Sequence, residues 1–189
     1  MNALIVYASR KGQTRKIAAR LGDMLEAAVH DVRVIDVLDL PARFDVSAWD
    51  LVVAGSSVKF GRHSGAIEEF VRAHRDILAG RRTAFFSVSG AAISKTPETE
   101  KEFAEQTEAF CRDTGCRPDR VVSFAGAVPY TRYDPVTRYV IKRIQKKAGR
   151  STDTSRDHEY TDWAAVEEFG RQLAGLHRPT GRPLAPVTP

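Results

Sequence analysis

The sequence predicts an α/β fold: a doubly wound, five-stranded parallel sheet in the order 2-1-3-4-5, with a long basic helical insert near its C-terminal end. Short apolar segments alternate with amphipathic segments whose apolar residues recur at helical spacing. The apolar segments lack polar alternation, so we expect helices to cover both faces of the sheet. The last connection, residues 129–160, is unusually long for a compact domain and forms the predicted insert.

The predicted strands are short and rich in β-branched and aromatic residues. They cover residues 3–8, 32–37, 50–55, 83–88 and 120–128. Helices are predicted over 17–28 and 65–78, after Pro97, and after Thr161, which is a suitable N-cap. Because crossovers between parallel strands are right-handed, few topologies remain, and we predict the 2-1-3-4-5 order.

The length of 189 residues is enough for one domain with a full core, which we expect to span residues 1–176. The Pro-rich residues 177–189 are expected to form a disordered tail. Cys111 and Cys116 lack the spacing of a zinc site or a C-x-x-C redox pair, so we predict reduced thiols and no metal. The chain begins directly with a strand and contains no membrane-spanning apolar run. We therefore expect a cytoplasmic protein, with attachment to the cytoplasmic face of the membrane left open.

The first strand is followed by a turn that could hold a phosphate. Ser9, Gly12 and Thr14 form an S-x-x-G-x-T pattern just before a helix, whose N-terminus presents unpaired N–H groups. The pattern is neither G-x-G-x-x-G nor a P-loop. It resembles the phosphate loop of flavodoxins, which hold the FMN phosphate with hydroxyls and backbone amides. The alternative is an ordinary capped turn between a strand and a helix.

Two further loops should lie at the same edge of the sheet, because ligands of doubly wound sheets bind at the carboxyl ends of the strands. Together the three loops supply hydroxyls, glycines, cations and one aromatic ring, which suit a flat ring joined to a phosphate. The predicted cofactor-binding residues are Ser9, Arg10, Lys11, Gly12, Gln13, Thr14, Ser57, Lys59, Phe60, Gly61, Ser87, Val88, Ser89 and Gly90.

Six segments within residues 1–176 resemble the flavodoxin-like, menaquinone-dependent protoporphyrinogen oxidases of bacterial haem synthesis. They read SRKGQTRKIA, SSVKFGRHSGAIEEFV, AFFSVS, KTPETEKEF, RPDRVVSFAGAVPYTRYDPVTRYVIKRIQKKAG and STDTSRDHEYTDW. The first three would fit many flavodoxin-like proteins, whereas the last three are that family's own pattern. The resemblance implies FMN as the cofactor, protoporphyrinogen IX as the electron donor and a quinone, menaquinone, as the acceptor.

Residues 134–149 predict an amphipathic helix inside the insert. Its apolar side contains Val136, Val140, Ile144 and Ala148 with Ile141 beside them, and its cations are Arg138, Lys142, Arg143, Lys146 and Lys147. This helix either packs its apolar side on the domain, or acts as a lid, or faces an anionic membrane surface. Alternatively, its cations could pair with substrate propionates. Tyr130, Arg132 and Tyr133, just before the helix, are the predicted substrate contacts.

The formal net charge of +5 favours anionic partners and leaves three functions to compare. The first is the quinone-linked oxidase, and the second is a flavodoxin-type FMN electron carrier or quinone reductase. Electron carriers of that type are usually acidic where they meet their partners, which argues against the second. The third is a nucleic-acid-binding module, but no recognition motif supports it. No general base is identified, although His63 lies in a predicted cofactor loop.

Overall fold

The computed structural model describes residues 1–28, 31–94, 96–128, 130–132, 134–147, 149 and 151–176. These residues contain a parallel sheet with the order β2-β1-β3-β4-β5, which confirms the predicted topology. The strands are β1 (Asn2–Ala8), β2 (Asp31–Asp36), β3 (Leu51–Ser57), β4 (Arg82–Ser89) and β5 (Arg120–Ala125). The carboxyl ends of the central strands β1, β3 and β4 therefore meet at one edge, where the three predicted loops begin.

The helices are α1 (Gln13–Glu26), α2 (Gly65–Ala73), α3 (Arg75–Leu78), α4 (Pro97–Thr114), α5 (Pro135–Lys147) and α6 (Trp163–Gly175). The single helix predicted over 65–78 is divided, because His74 leaves the helical region with φ −110° and ψ 12°. Helix α4 begins as predicted at Pro97, where the Thr96 hydroxyl accepts a hydrogen bond from the Thr99 N–H.

The core consists of two hydrophobic clusters, one on each face of the sheet. On one face, Ile17 of α1 and Phe169 of α6 pack against alternate strand residues such as Phe86. On the other face, Phe70 of α2 and Phe110 of α4 pack against the intervening strand residues. Because successive strand side chains point to opposite faces, this arrangement explains why the strands are apolar at almost every position.

The strand predicted over 120–128 ends early. The Gly126 N–H donates to the Ser89 carbonyl, and a Cβ added at Gly126 would lie 3.3 Å from the Val88 side chain. Beyond this turn, β6 (Ala127–Val128) pairs antiparallel with β7 (His158–Glu159) in a separate two-stranded sheet. The β6–β7 ladder closes the base of the insert. The ladder could not be predicted from the sequence, because strands of two residues have no detectable periodicity.

The predicted N-cap of the last helix is wrong by one residue. Asp162, not Thr161, caps α6, since its carboxylate accepts a hydrogen bond of 3.1 Å from the Ala165 N–H. The Thr161 hydroxyl instead donates a hydrogen bond of 2.8 Å to the carbonyl of Ala125 at the end of β5. Thr161 therefore connects the returning insert to the sheet.

Across the ranges given above, no helix combines the length and the apolar character needed to cross a membrane. Residues 177–189, where we predicted a disordered tail, lie outside the described residues. The predicted substrate residue Tyr133 and the predicted apolar position Ala148 also lie outside them.

Candidate functional site

The turn after β1 is organised by the side chain of Ser9. Its hydroxyl accepts hydrogen bonds from the N–H groups of Gly12 at 3.1 Å and Arg15 at 3.3 Å. Gly12 has φ 92°, a left-handed conformation that glycine adopts without a steric penalty. Helix α1 has no side-chain N-cap and no acidic residue in its first turn. No side chain of the helix therefore neutralises the positive end of its dipole, and this favours binding of a phosphate there.

The other predicted residues of this turn divide into two groups. Arg10 and Lys11 are exposed, whereas Gln13 and Thr14 are buried. The Gln13 amide donates a hydrogen bond of 2.8 Å to the Thr161 hydroxyl, so this side chain points towards the base of the insert. Gln13 is consequently placed to support the turn.

The loop after β3 is a rigid hairpin. Lys59 and Arg62 exchange two backbone hydrogen bonds of 2.9 and 3.1 Å, and Phe60 and Gly61 form the tip. The Val58 N–H donates a hydrogen bond of 2.8 Å to the Val88 carbonyl, and this bond holds the base of the hairpin against β4. The hairpin therefore projects from the edge of the sheet at which the candidate phosphate turn lies.

The hydroxyl of Ser57, at the end of β3, is buried and has no hydrogen-bond partner in the described part of the protein. Buried polar atoms without a partner are rare, because they lose their hydration and gain nothing in return. A polar atom of a bound ligand would supply the partner. Ser57 is thus the predicted site residue whose surroundings most directly indicate a ligand.

The loop after β4 contributes less than the sequence suggested. The Ser87 hydroxyl is fully buried and donates a hydrogen bond of 3.1 Å to the Ser123 hydroxyl, so it points towards β5. Ser89 accepts a hydrogen bond of 3.1 Å from the Ala92 N–H and stabilises the following turn. The carbonyl of Val88 is bonded to Val58, while Gly90 is exposed. Of these four predicted residues, Gly90 is the exposed one.

His63, in the loop after β3, packs its ring against two aromatic residues of the core, while both of its ring nitrogens are buried without a hydrogen-bond partner among the described residues. Its ring lies edge-on to Phe85 and Phe110, with ring centroids 5.0 and 5.5 Å apart. Burial lowers the pKa of His63 from 6.5 to about 4, because the charged form loses its hydration. The ring is therefore neutral at pH 7 and contributes to packing.

The base of the insert contacts the first turns of α1 through Glu159. Its carboxylate accepts hydrogen bonds from Lys16 Nζ at 2.8 Å and from Trp163 Nε1 at 2.7 Å. Partial burial raises the pKa of Glu159, but these hydrogen bonds and the Lys16 charge outweigh burial and hold it below its ordinary value. Glu159 was not among the predicted site residues, although it lies in the EYTDW segment that carries the family resemblance.

The side chain of Tyr130, a predicted substrate residue, is fully buried. Its ring lies edge-on to His158 at 5.8 Å, and its carbonyl accepts a hydrogen bond of 3.1 Å from Arg138 Nε. Tyr130 therefore supports the base of the insert. The side chain of Arg132, like Tyr133, lies outside the described residues.

Helix α5 exposes much of its apolar side to solvent. Val136, Tyr139 and Val140 are 73%, 61% and 48% exposed, at the i, i+3, i+4 spacing of one helix face. Of the alternatives considered for this helix, packing of its apolar side on the domain is therefore not supported at Val136 and Val140. Cations on the same helix are exposed as well, namely Lys142, Arg143 and Lys146.

The two cysteines are buried and unpaired, as the sequence predicted for reduced thiols. Burial raises the pKa of Cys116 to about 11 and also raises the pKa of Cys111. Both sulfurs are therefore protonated at pH 7, which makes them poor nucleophiles.

Comparison with known proteins agrees with this architecture. A family model described as a flavodoxin domain matches residues 4–155. Protoporphyrinogen IX dehydrogenase (quinone) of Escherichia coli (strain K12) is 36% identical over 183 residues, which cover 93% of this chain and 96% of that protein. The protein of the same name from Leishmania major is 32% identical over 177 residues, covering 92% of this chain and 74% of that protein.

Solved structures with the same fold are much less similar in sequence. A short-chain flavodoxin associated with a non-canonical PDU bacterial microcompartment superposes with a TM-score of 0.55 at 13% identity, covering 94% of this chain and 99% of that one. Oxidised flavodoxin 1 from Bacillus cereus gives a TM-score of 0.54 at 15% identity, covering 94% and 99%. These similarities establish the fold alone.

Proposed function

Because this chain belongs to the flavodoxin-domain family, and within it to the quinone-dependent protoporphyrinogen IX dehydrogenases, we propose that it oxidises protoporphyrinogen IX to protoporphyrin IX with FMN as its cofactor. Quinone molecules accept the electrons and protons in successive two-electron steps, each quinone becoming a quinol. The observation that carries this proposal is the 36% identity over 93% of the chain, which reaches beyond the sheet into the insert. An ordinary electron carrier has no need of that insert.

The residues at the carboxyl edge of the sheet fit FMN. The turn formed by Ser9, Gly12 and Thr14 would hold the phosphate through backbone N–H groups and the positive end of α1. The unpartnered hydroxyl of Ser57 would bond a polar atom of the cofactor. When bound, FMN supplies the two-electron chemistry that links the donor to the quinone. The surrounding residues bind and orient the reactants.

The lack of acidic residues in the first turn of α1 supports binding of a phosphate dianion, since a carboxylate there would repel it. The hydrogen bonds of the Lys59–Arg62 hairpin and of Val58 to Val88 restrict the loop beside the cofactor. A restricted loop loses little conformational entropy on binding, so more of the contact energy is available for orientation.

We further propose that the acceptor is menaquinone and that α5 attaches the protein to the anionic face of a membrane. Menaquinone is confined to lipid, so an enzyme that uses it benefits from attachment to the surface. The exposed Val136, Tyr139 and Val140 can enter the interface between headgroups and acyl chains. Each cation on the helix adds about 1 kcal/mol near anionic lipid.

A flavodoxin-type electron carrier is the second candidate, because the solved structures of the same fold include flavodoxins. Two features argue against it. The formal net charge is +5, whereas such carriers usually meet their partners through acidic surfaces. In addition, the exposed apolar residues of α5 would lower the solubility of a carrier without serving its function.

The direct test is an anaerobic assay with flavin-loaded protein, protoporphyrinogen IX and a menaquinone analogue. The expected result is fluorescent protoporphyrin IX together with reduced quinone, and neither without the quinone. Quinone reduction by a nicotinamide cofactor in the absence of porphyrinogen oxidation would instead identify a quinone reductase. Flavin-loaded protein that leaves protoporphyrinogen IX unchanged with every quinone tried would overturn the proposal.

A further inference from the structure

The start of α1 contacts the base of the insert through two side chains. Gln13, the first residue of the helix, donates a hydrogen bond of 2.8 Å from its amide to the Thr161 hydroxyl. Lys16, one turn later on the same helix, places its Nζ 2.8 Å from the Glu159 carboxylate. These partners are 148 and 143 positions away in the chain. The helix that follows the candidate phosphate turn is therefore held by the segment that returns from the insert.

Glu159 accepts hydrogen bonds from more than one element. Besides Lys16 Nζ, the indole Nε1 of Trp163 donates to its carboxylate at 2.7 Å. The Gln13 side chain makes a further hydrogen bond to Glu159. Because an amide nitrogen carries two N–H groups, Gln13 can serve Glu159 and Thr161 together. Hydrogen bonds to an ionised carboxylate are stronger than those between neutral groups, so Glu159 joins α1, β7 and α6 at one point.

The same returning segment is connected to the rest of the insert. The N–H and the hydroxyl of Thr131 both donate to the Asp157 carboxylate, at 2.9 and 2.7 Å. The β6–β7 ladder lies beside this contact. The neighbouring carbonyl of Tyr130 accepts a hydrogen bond of 3.1 Å from Arg138 Nε of α5. A continuous set of contacts therefore leads from the first turn of α1 to α5.

We propose that Gln13, Lys16 and Glu159 couple FMN binding to docking of the insert, so that each stabilises the other. A phosphate bound at the turn before α1 restricts the first turn of that helix. The base of the insert then docks against side chains that are already ordered, and the docking costs less conformational entropy. Gln13, Lys16 and Glu159 are positioning residues in this account, because they act through the turn and the insert.

Thermodynamic linkage makes the effect reciprocal. If bound FMN raises the affinity of the insert for a porphyrin by some factor, bound porphyrin raises the affinity for FMN by the same factor. Couplings between sites in proteins are commonly between about fivefold and 150-fold, and we expect about tenfold here. The flavin-free protein therefore binds porphyrin more weakly than the flavin-loaded protein. This reciprocal part rests on the proposed function, whereas coupling of the insert to FMN does not.

Hydrogen exchange of main-chain amides tests the coupling without substrate or turnover. One reporter is the Thr131 N–H, which donates to Asp157. The other is the Tyr160 N–H, which donates a hydrogen bond of 3.2 Å to the Gly126 carbonyl. In the wild type both should exchange about tenfold more slowly with FMN bound than without it. The amide of Gly115, at the end of α4, is the reference and should exchange equally in both states.

A three-residue variant, Gln13→Ala with Lys16→Gln and Glu159→Gln, removes the proposed coupling. Lys16 and Glu159 carry opposite charges, so the net charge beside the candidate phosphate turn is unchanged. At saturating FMN, we expect bound FMN to slow exchange of the two reporters less than about twofold in this variant. The matched control, Arg20→Gln with Glu167→Gln, removes an ion pair of 2.6 Å between α1 and α6 and should keep the tenfold effect.

A milder variant guards against misfolding. Lys16→Gln with Glu159→Gln keeps the bond from Gln13 to Thr161, and its FMN effect should lie between those of the wild type and the three-residue variant. The Lys16 side chain is 61% exposed, and exposed ion pairs contribute little to overall stability. Its melting temperature without FMN should therefore stay close to that of the wild type, while the FMN effect on exchange falls.

FMN affinity measured with and without protoporphyrin IX tests the reciprocal effect. Because protoporphyrin IX is the oxidised product, no turnover occurs during the titration. The wild type should bind FMN about tenfold more tightly when porphyrin is bound, and the three-residue variant should show a ratio close to 1. The Arg20→Gln and Glu167→Gln control should retain the wild-type ratio. A direct contact between porphyrin and flavin would leave the ratio unchanged in all three proteins.

Either of two exchange results would overturn the coupling. One is equal exchange of the reporters with and without FMN in the wild type, and the other is a full tenfold effect in the three-residue variant. These results are separate from the proposed function. Coupled exchange in a protein that never oxidises protoporphyrinogen IX overturns the function alone, whereas turnover by a protein with uncoupled exchange overturns the coupling alone.

Discussion

The amide of Gln13 donates a hydrogen bond of 2.8 Å to the hydroxyl of Thr161, although the two residues are 148 positions apart in the chain. The same hydroxyl donates a hydrogen bond of 2.8 Å to the carbonyl of Ala125. The start of α1 is therefore tied to the end of β5 and to the segment that returns from the insert. The phosphate turn and the insert share one polar support, in which each bond holds the next group in place.

Thr161→Val should weaken this support without changing the shape of the side chain. Removing the hydroxyl leaves the Gln13 amide and the Ala125 carbonyl without their partner, which costs about 1–2 kcal/mol of unfolding free energy. We also expect faster loss of FMN, because the first turn of α1 becomes less restricted. Denaturant unfolding and flavin release rates check both effects. Thr154→Val, inside the insert, is the matched control, and equal behaviour of the two variants would contradict the prediction.

Gly12→Val combined with Thr14→Ala should abolish flavin retention. Valine cannot adopt φ 92° without strain, and the turn loses a hydroxyl beside the phosphate. Loss of about two hydrogen bonds to a charged group corresponds to roughly a hundredfold weaker FMN binding. Equilibrium titration of the flavin-free protein with FMN measures the change.

Gly175→Ala provides the control for that double variant, since nothing lies within 4 Å of an added Cβ at this position. It should retain FMN fully. A Gly12→Val and Thr14→Ala protein that is still fully loaded would show that the phosphate binds elsewhere.

The burial of His63 predicts a specific loss of stability in mild acid. The unfolded chain takes up a proton at His63 near pH 6.5, whereas the folded protein takes it up only near pH 4. Between these values the unfolded state binds more protons, so the free energy of unfolding falls as the pH falls. The total loss from this residue is at most about 3.4 kcal/mol, because a difference of one pKa unit corresponds to about 1.36 kcal/mol.

His63→Leu should remove that part of the pH dependence, because leucine does not titrate. Urea unfolding of both proteins at pH 7.5 and pH 5 measures the difference. The wild type should lose more stability than the variant between these two values. If both lose the same amount, the His63 ring is hydrated in the folded protein and our account of its burial is wrong.

Charge reversal on α5 should detach the protein from anionic vesicles while leaving FMN binding intact. Replacing Lys142, Arg143 and Lys146 by Glu removes about 1 kcal/mol of attraction per residue, which is roughly a hundredfold in vesicle affinity. Flavin binding is expected to persist, since α5 follows β5 whereas the phosphate turn follows β1. Sedimentation with vesicles containing phosphatidylglycerol, at low and at high salt, measures the attachment.

The corresponding control reverses Lys101, Arg112 and Arg171, which are exposed on α4 and α6. The net charge then changes by the same amount, but α5 is untouched, and attachment should persist. Detachment of both variants to the same degree would mean that overall charge is responsible, and not α5. Loss of flavin from the α5 variant would make the helix part of the cofactor site.

The sequence by itself determined the sheet and the edge of it at which the candidate site is proposed. The alternation of apolar strands and amphipathic helices can be read from short stretches of sequence. Together with the right-handedness of crossovers, it predicts the strand order. The turn after β1 could be predicted because Ser9 and Gly12 lie three residues apart and their contact is local, and its role as a phosphate site stays a prediction. The family resemblance added the chemistry, which no periodicity reveals.

The tertiary structure alone decided which residues are buried, which are exposed, and which distant residues they contact. A helical period says that Val136 and Val140 share a face, but not that the face is exposed, and nothing in the residues near Tyr130 predicts that its ring is buried. The assignments of His63 to the core and of Thr161 to Gln13 depend on partners far away in the chain. Such contacts form only when the elements pack, because neither burial nor a long-range hydrogen bond is encoded in a single segment.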